Sequence, residues 1–179
     1  TLRKASLQLV GRPPTAAEIA QVTANNDATL DPVLMNMMQD PIFLKRVKEI
    51  FNDILLTDAS IPNGQIVSQI YGNFGFTQDY SADTLVNDPL AREPVEYVAH
   101  IVQNNRPITE IVQGRYRLLN KDSAKLFGLG GQITTDSYQE YSGITALKQE
   151  EFAGVLTTHS FNYRYPNTDT NRNRKKARY

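Results

Sequence analysis

Apolar residues recur at helical spacing in two segments of the chain. After Asp40 and Pro41 they share one stripe, formed by Phe43, Val47, Ile50, Phe51 and Ile54. From Pro94 to about residue 104 the stripe consists of Val95, Val98, Ile101 and Val102. A repeat of three to four residues places side chains on one face of a helix. The pattern therefore predicts two amphipathic helices, each with a stripe that faces a core.

Helix-start signals precede the periodic segments. Thr15 and Glu18 have the spacing of a capping box, in which each side chain accepts a bond from the other residue's amide, and they predict a helix over 15–24. Asp31 and Asp40 are each followed by proline, which has no amide to leave unsatisfied in a first turn. Two further helices are therefore predicted to begin at these aspartates.

Shorter elements are predicted nearer the C-terminus. A short helix is expected over 108–113, and Asn120 is expected to cap another over 121–127. The polar, glycine-rich residues 128–142 indicate a loop. Alternation of aromatic positions favours a short extended piece before residue 166, at Phe161, Tyr163 and Tyr165.

The helical period disappears between residues 58 and 88, where glycines and aromatic residues indicate a long structured connection. The fold class is therefore predicted to be mainly α, a helical domain with long irregular connections and little β. Its predicted divisions are an N-terminal helical subdomain over 1–57, the irregular connection over 58–88, and a C-terminal helical subdomain over 89–179. One domain or two closely packed subdomains would both fit this division.

Charge is balanced overall but concentrated at one end. The 179 residues contain 19 lysines and arginines against 19 aspartates and glutamates, so no net field gathers nucleic acid or anionic lipid. Residues 172–179 nevertheless carry five basic side chains and no acidic one. The absence of cysteine excludes disulfides, thiolate zinc sites and covalently attached haem within these residues. No apolar run approaches the roughly 18 to 20 residues of a membrane span.

The two histidines are the candidate catalytic or metal-binding groups. Glu96 lies four residues before His100, and a carboxylate beside an imidazole can serve a general base or a metal ligand. A metal needs three or four ligands, however, and His159 is the only other histidine. His159 adjoins Ser160, but neighbours in sequence rarely present their side chains to each other in triad geometry. Both histidines are interpreted as packed or surface residues.

Other candidate features favour binding over catalysis. The glycines of 127–132 lack the spacing of a phosphate loop and are expected to end a helix in left-handed conformations. The aromatic loop over 71–80 either contacts a ligand or fixes the loop to the body. The basic end could contact nucleic acid, although a protein or anionic surface is favoured. The predicted partner-binding residues are Tyr71, Phe74, Phe76, Tyr163, Tyr165, Arg172, Arg174, Lys175, Lys176 and Arg178.

Three blocks of sequence occur in an order known from one group of proteins. Residues 2–18 contain Gly-Arg-Pro-Pro-Thr followed by an acidic residue, and residues 92–120 contain Asn-Arg-Pro, a tyrosine and a terminal asparagine. Residues 153–161 contain Gly-Val-Leu-Thr and are followed by the polar and basic residues 168–176. Together these blocks resemble the large, cytochrome c-associated exported proteins of planctomycetes and myxobacteria. The proline and closing glycine of that group's final basic block are missing from residues 170–176.

This resemblance implies an exported, mainly helical bacterial protein, located in the periplasm, at the cell surface or outside the cell. Its longer relatives carry haem-attachment motifs beyond the basic block, so a haem is allowed in the parent protein or in a partner, but no cofactor is expected within this chain. Because the sequence opens inside a patterned segment, without an initiator methionine or a signal peptide, it is interpreted as a processed or excised piece.

The leading functional hypothesis is a non-catalytic structural or interaction subunit, or a segment of one, in an exported, envelope-associated bacterial assembly. The acidic residues are dispersed, and no spacing singles out a catalytic pair. The expected partners are other protein subunits, with no nucleic acid, no transmembrane span and no small-molecule substrate identified. The alternative is an accessory segment of a haem-bearing electron-transfer protein whose redox centre lies outside these residues.

Overall fold

A computed structural model of the chain describes residues 1–24, 29–58, 84–142 and 152–165. These residues are mainly helical, which confirms the predicted fold class. The helices are α1 (Leu2–Leu9), α2 (Ala16–Ala24), α3 (Leu30–Met37), α4 (Pro41–Leu55), α5 (Thr84–Gln103), α6 (Glu110–Gln113), α7 (Lys121–Leu126) and α8 (His159–Arg164), with a 3-10 helix at Gly154–Thr157. The strands are β1 (Arg117–Leu119) and β2 (Gln139–Tyr141). Among the described helices, none is both long enough and apolar enough to cross a membrane.

The chain divides into two compact units. The N-terminal unit comprises residues 1–51 and the C-terminal unit residues 52–179, with the boundary inside α4. The N-terminal unit has a small core, which is formed by Val10, Val22, Val33 and Met37. The predicted capping box starts α2 as expected: the Glu18 amide donates to Thr15 Oγ1 at 3.2 Å, and the Thr15 amide donates to Glu18 Oε2 at 2.6 Å.

The two predicted Asp-Pro starts differ. The Ile42 amide donates to Asp40 Oδ1 at 2.9 Å, so Asp40 caps α4 as predicted. Helix α3 instead begins at Leu30, after Thr29, and Asp31 lies inside the first turn rather than at the cap. The prediction of Asp31 as a cap was therefore wrong by two residues, because the sequence signal locates proline in a first turn but not the preceding boundary.

Helix α4 also differs from its prediction as a core helix. Of its 15 residues only Leu55 is buried, and Ile50 and Ile54 remain 45% and 48% exposed. The N-terminal core closes around α1, α2 and α3, and no α4 residue belongs to it. The apolar stripe that periodicity predicts is therefore present, but it is covered only in part, since Phe43, Val47 and Phe51 are partly buried and Ile50 and Ile54 are exposed.

The C-terminal unit is organised around α5, which begins at Thr84, ten residues before its predicted start. Pro89 and Pro94 both lie inside the helix, although proline usually ends one because it lacks an amide and clashes with the preceding turn. Extensive burial offsets this cost: Val86, Leu90 and Ala91 are fully buried and pack with Leu126 of α7. The predicted stripe is confirmed by the burial of Val95, Val98 and Ile101.

The short elements surround α5. Asn120 caps α7 as predicted, since its Oδ1 accepts from the amides of Asp122 and Ser123 at 3.1 and 2.9 Å. Gly128 ends that helix with φ +70°, and Gly131 has φ +101°, as the glycine pattern predicts. Strand β2 lies inside the predicted 128–142 loop and pairs antiparallel with β1, with Leu118 opposite Glu140. A three-residue strand is too short to show an alternating pattern in sequence.

The predicted extended piece near residue 161 was wrong, because α8 covers His159–Arg164. Phe161 and Tyr165 are one helical turn apart, both are buried, and their ring centroids are 5.0 Å apart. Aromatic positions two apart also include a pair four apart, so this spacing fits a helix as well as a strand. Residues 59–83, which contain most of the predicted connection, lie outside the described residues.

Candidate functional site

A cluster of polar and charged side chains surrounds Arg106, in the turn that follows α5. Asn105 has φ +50°, a left-handed conformation that asparagine tolerates, and this turn directs Arg106 back towards the helix. The guanidinium bonds Glu140 of β2, and its Nε lies 2.7 Å from Glu110 Oε2. Its Nη1 also lies 3.2 Å from His100 Nε2. We call Arg106, His100, Glu110, Glu140 and Tyr116 the Arg106 cluster.

Two stacked tyrosine rings pack against this cluster. Tyr97 and Tyr116 stack with centroids 4.7 Å apart and planes 11° apart, and the Arg106 guanidinium lies 4.5 Å from the centroid of Tyr116. The Tyr116 hydroxyl donates to Glu110 Oε2 at 3.1 Å. Burial, with the neighbouring Glu110 carboxylate, raises the pKa of Tyr116 to about 12. Burial also raises the pKa of Tyr97 above its ordinary value, so both phenols stay protonated at physiological pH.

An open groove of about 530 Å³ lies beside the Arg106 cluster. The groove is lined by Arg106, Glu110, Tyr116 and Glu140, together with Gly114 and Arg115. The two carboxylates already bond Arg106, so a charged ligand would have to displace an existing ion pair. The contacts join α5, α6 and β2, which favours a structural use of these charges.

A second polar cluster is buried within the same unit. Arg117 of β1 donates from Nε to Glu93 Oε1 at 2.8 Å and from Nη2 to the other oxygen, while the two side chains are 3% and 1% exposed. Arg117 Nη1 lies 3.4 Å from His159 Nε2. The ring of Phe127 stacks on His159 with centroids 5.7 Å apart and also contacts the guanidinium. We call these four residues the Arg117 cluster.

Electrostatics fix the state of His159. Burial, and secondarily the positive charge of Arg117, lower the pKa of its imidazole well below the usual value. The ring is therefore neutral at physiological pH, and because arginine is only a donor, the bare Nε2 accepts from Arg117. His159 is a hydrogen-bond acceptor that helps to satisfy a buried guanidinium.

The structure places the two histidines in different clusters. His100 contacts the Arg106 cluster, with Glu140 Oε2 at 3.3 Å from its Nε2, whereas His159 belongs to the Arg117 cluster. The Ser160 hydroxyl is buried without a hydrogen-bond partner, so His159 does not act as its base. In the segments that the structure describes, no group of three or more histidine, aspartate or glutamate side chains could hold a metal ion.

Two of the ten predicted partner-binding residues are described, and both pack inside the C-terminal unit. Tyr165 is 6% exposed, and its hydroxyl donates to the Leu55 carbonyl at 3.2 Å. Tyr163 is partly buried and packs against the core that contains Leu90. Little of the Tyr165 ring therefore remains available to a partner, whereas the Tyr163 ring is covered only in part. The other eight lie outside the described residues: Tyr71, Phe74, Phe76, Arg172, Arg174, Lys175, Lys176 and Arg178.

Two glycines hold the backbone together near these clusters, and sequence reasoning missed them. The Gly154 amide donates to the Gly114 carbonyl at 2.9 Å, and a Cβ at Gly154 would lie 2.1 Å from the Ile111 carbonyl oxygen. A Cβ at Gly114 would lie 1.9 Å from the Tyr97 hydroxyl. The available signal was position: Glu93, Gly114 and Arg117 fall in the second quoted sequence block, and Gly154 and His159 in the third.

Comparison with known proteins adds no relative. No family model matches the chain, and searches of curated proteins and of solved structures find no significant match. Conclusions about function therefore rest on the residues themselves.

Proposed function

We propose that this chain is a non-catalytic structural and interaction segment of an exported, envelope-associated bacterial assembly. One observation carries the proposal: large apolar side chains are exposed mainly at the N-terminal end. In the part of the chain that the structure describes, eight of the ten exposed large apolar side chains fall between Leu7 and Leu56. The other two are Ile108 and Val112.

Clustered apolar exposure favours a binding role. Single exposed apolar residues are ordinary, but several on one small unit are typical of a surface that another protein covers. Met35 is 59% exposed, Ile19 48% and Ile42 44%, within a unit of only 51 residues. A partner that buries these side chains would gain free energy in proportion to the apolar area removed from water.

The charges of the C-terminal unit support the non-catalytic part of the proposal. The Arg117 cluster is buried, and its guanidinium is bonded by Glu93 and His159. In the Arg106 cluster both carboxylates bond one arginine. Reactive groups need access to a substrate, which the buried Arg117–Glu93 pair lacks. Both clusters also join segments that are far apart in sequence. The exported, envelope-associated location rests on the resemblance of the three sequence blocks.

The proposal can be tested in the bacterium that encodes the chain, by fractionation and chemical cross-linking of a tagged protein. We expect the tagged chain in the envelope or external fraction, cross-linked to a discrete partner. The Met35→Glu substitution should reduce that cross-link severalfold. Ile108→Glu is a matched control, because Ile108 is 60% exposed but lies in the other unit.

Two results would contradict the proposal. One is a tagged chain confined to the cytoplasm, and the other is equal cross-linking by the Met35 and Ile108 variants. Removal of residues 166–179 tests the predicted basic contact separately: unchanged cross-linking would remove that segment from the contact surface without affecting the conclusion drawn from Met35.

A further inference from the structure

Helix α4 carries a regular apolar seam that is only half covered. The seam consists of Phe43, Val47, Ile50 and Ile54, which are four, three and four residues apart. This is the spacing of alternating d and a positions over two heptads. Ile50 and Ile54 are 45% and 48% exposed, and Phe43 and Val47 are partly buried. We call these four residues the α4 seam.

The positions beside the α4 seam indicate what it pairs with. In this heptad assignment Arg46 and Asp53 occupy the two g positions, and the apolar Leu44 and Phe51 occupy the e positions. In a parallel pair of helices a g residue faces an e residue, so both charges would meet apolar side chains. In an antiparallel pair g faces g, which brings Arg46 of one copy opposite Asp53 of the other.

In a two-fold symmetric pair the Arg46–Asp53 contact occurs twice, because both copies use the same surface. The seam is also self-complementary in an antiparallel pair, with Val47 opposite Ile50 and Phe43 opposite Ile54. On the far side, Leu44 meets Phe51. Arg46 is partly buried, with its Nε enclosed, and its Nη1 bonds Glu49 one turn along. A partly exposed pair of this kind holds weakly, so the terminal nitrogens of the guanidinium can reach a second carboxylate.

We propose that α4 is a self-association helix, which pairs antiparallel with α4 of a second copy of this chain through the α4 seam, with two flanking Arg46–Asp53 ion pairs. The inference goes beyond the proposed function, because the partner is a second copy of the chain itself. Helix α4 has 15 residues, a length of about 22 Å, so the pairing is short and its strength depends on protein concentration.

The first test measures the sedimentation of the full 179-residue chain over a range of concentrations. The unmodified chain should form a concentration-dependent dimer. Ile50→Glu places a charge in the seam and should raise the dimer dissociation constant by about 50-fold or more, since two half-exposed isoleucines per dimer lose their burial. Ile42→Glu is a matched control, because Ile42 is 44% exposed but lies outside the seam, and this variant should still dimerise.

The second test uses the charges and separates pairing from misfolding. In the Arg46→Asp variant, an acid at position 46 faces Asp53 of the other copy in both contacts. In the Asp53→Arg variant, a base at position 53 faces Arg46 in both contacts. Each variant alone should therefore be monomeric. A mixture of the two variants restores both opposite-charge contacts and should form a heterodimer. Circular dichroism confirms that each variant retains its helices before mixing.

Three outcomes would overturn the inference. The unmodified chain could stay monomeric up to the highest concentration measured, which would mean that another molecule or this chain's own residues cover the seam. The Ile50 and Ile42 variants could dimerise equally well. The folded charge variants could fail to pair on mixing, which would exclude the antiparallel arrangement.

Discussion

The described residues of the N-terminal unit bury four apolar side chains and expose six large ones, whereas those of the C-terminal unit bury twenty and expose four. The larger core allows the C-terminal unit to bury an ion pair beside a partly buried, neutral histidine. Among its described residues the smaller unit buries no such pair, and its part of α4 is only half covered. A small core stabilises a fold only weakly, so the N-terminal unit is the one whose stability should respond to partners.

The largest expected effect comes from breaking the buried pair of the C-terminal unit. Glu93→Gln leaves Arg117 as a buried charge without its counter-ion, and we expect a loss of about 3–5 kcal/mol from the free energy of unfolding. Urea unfolding followed by circular dichroism measures this loss. The double variant Glu93→Leu with Arg117→Met should recover most of it, because an apolar pair carries no desolvation cost.

The matching control for that experiment is an ion pair on the surface. Lys121 bonds Asp136 at 2.8 Å while both side chains are exposed, so Lys121→Met should leave the free energy of unfolding almost unchanged. A loss at Lys121 equal to that at Glu93 would show that burial does not determine the cost.

The next largest effect concerns the backbone contact at Gly154. An alanine there has a left-handed φ of +53° and a Cβ 2.1 Å from the Ile111 carbonyl oxygen, so we expect a loss of about 3 kcal/mol or more. Gly128→Ala is the matched control: its φ is +70°, but nothing lies within 4 Å of the added Cβ. Only the conformational cost of about 1–2 kcal/mol should appear at Gly128. Equal losses in thermal unfolding would mean that the close approach is absent.

Acid should affect the C-terminal unit through His159. Its pKa is lowered in the folded chain, so below the ordinary histidine pKa of about 6.5 the unfolded chain takes up a proton that the folded chain refuses. Stability is therefore complete above about pH 6.5 and falls as the pH drops below it. His159→Gln should remove this slope, measured as the urea midpoint against pH, and His100→Gln should retain it. A slope that persists without His159 would contradict the assignment.

The smallest effect distinguishes the N-terminal unit, which contains no histidine. The side-chain bonds from Arg12 lower the pKa of Glu18 to about 2. Because this pKa is depressed on folding, its contribution is present above about pH 4.5 and is lost as the pH falls towards 2. Solvent screens this partly exposed pair, so Glu18→Gln should remove about 1 kcal/mol at pH 7. Acid titration of the α2 amides, followed by NMR, measures this contribution in each variant. A loss from Glu49→Gln as large as the loss from Glu18→Gln would contradict the assignment.

Local signals in the sequence predicted the elements better than they predicted their environment. The capping atoms of Thr15, Asp40 and Asn120 bond the amides that the sequence pattern indicates, because capping depends on residues only a few positions apart. The periodicity of α4 was visible, but its exposure was not, since burial depends on what the rest of the chain or another molecule covers. The first half of α5 could not be predicted, because Pro89 and Pro94 usually end a helix and only tertiary packing stabilises it here.

The candidate site depended on distant residues for the same reason. Glu93 and Arg117 are 24 positions apart, and Arg117 and His159 are 42 apart, so no spacing rule connects them. Glu140, which contacts His100, lies on β2, a strand too short to be predicted from the sequence. Glu93, Arg117 and His159 do lie in two of the sequence blocks that carry the resemblance, but nothing in the sequence shows that those two blocks are in contact.

Amide hydrogen exchange of the full chain tests the contrast between the two units most directly. Amides of α5 and β1 should exchange only with global unfolding of the C-terminal unit, whereas amides of α1 to α4 should open at much lower free energy and become more protected as protein concentration rises. Equal protection in both units, independent of concentration, would contradict the account.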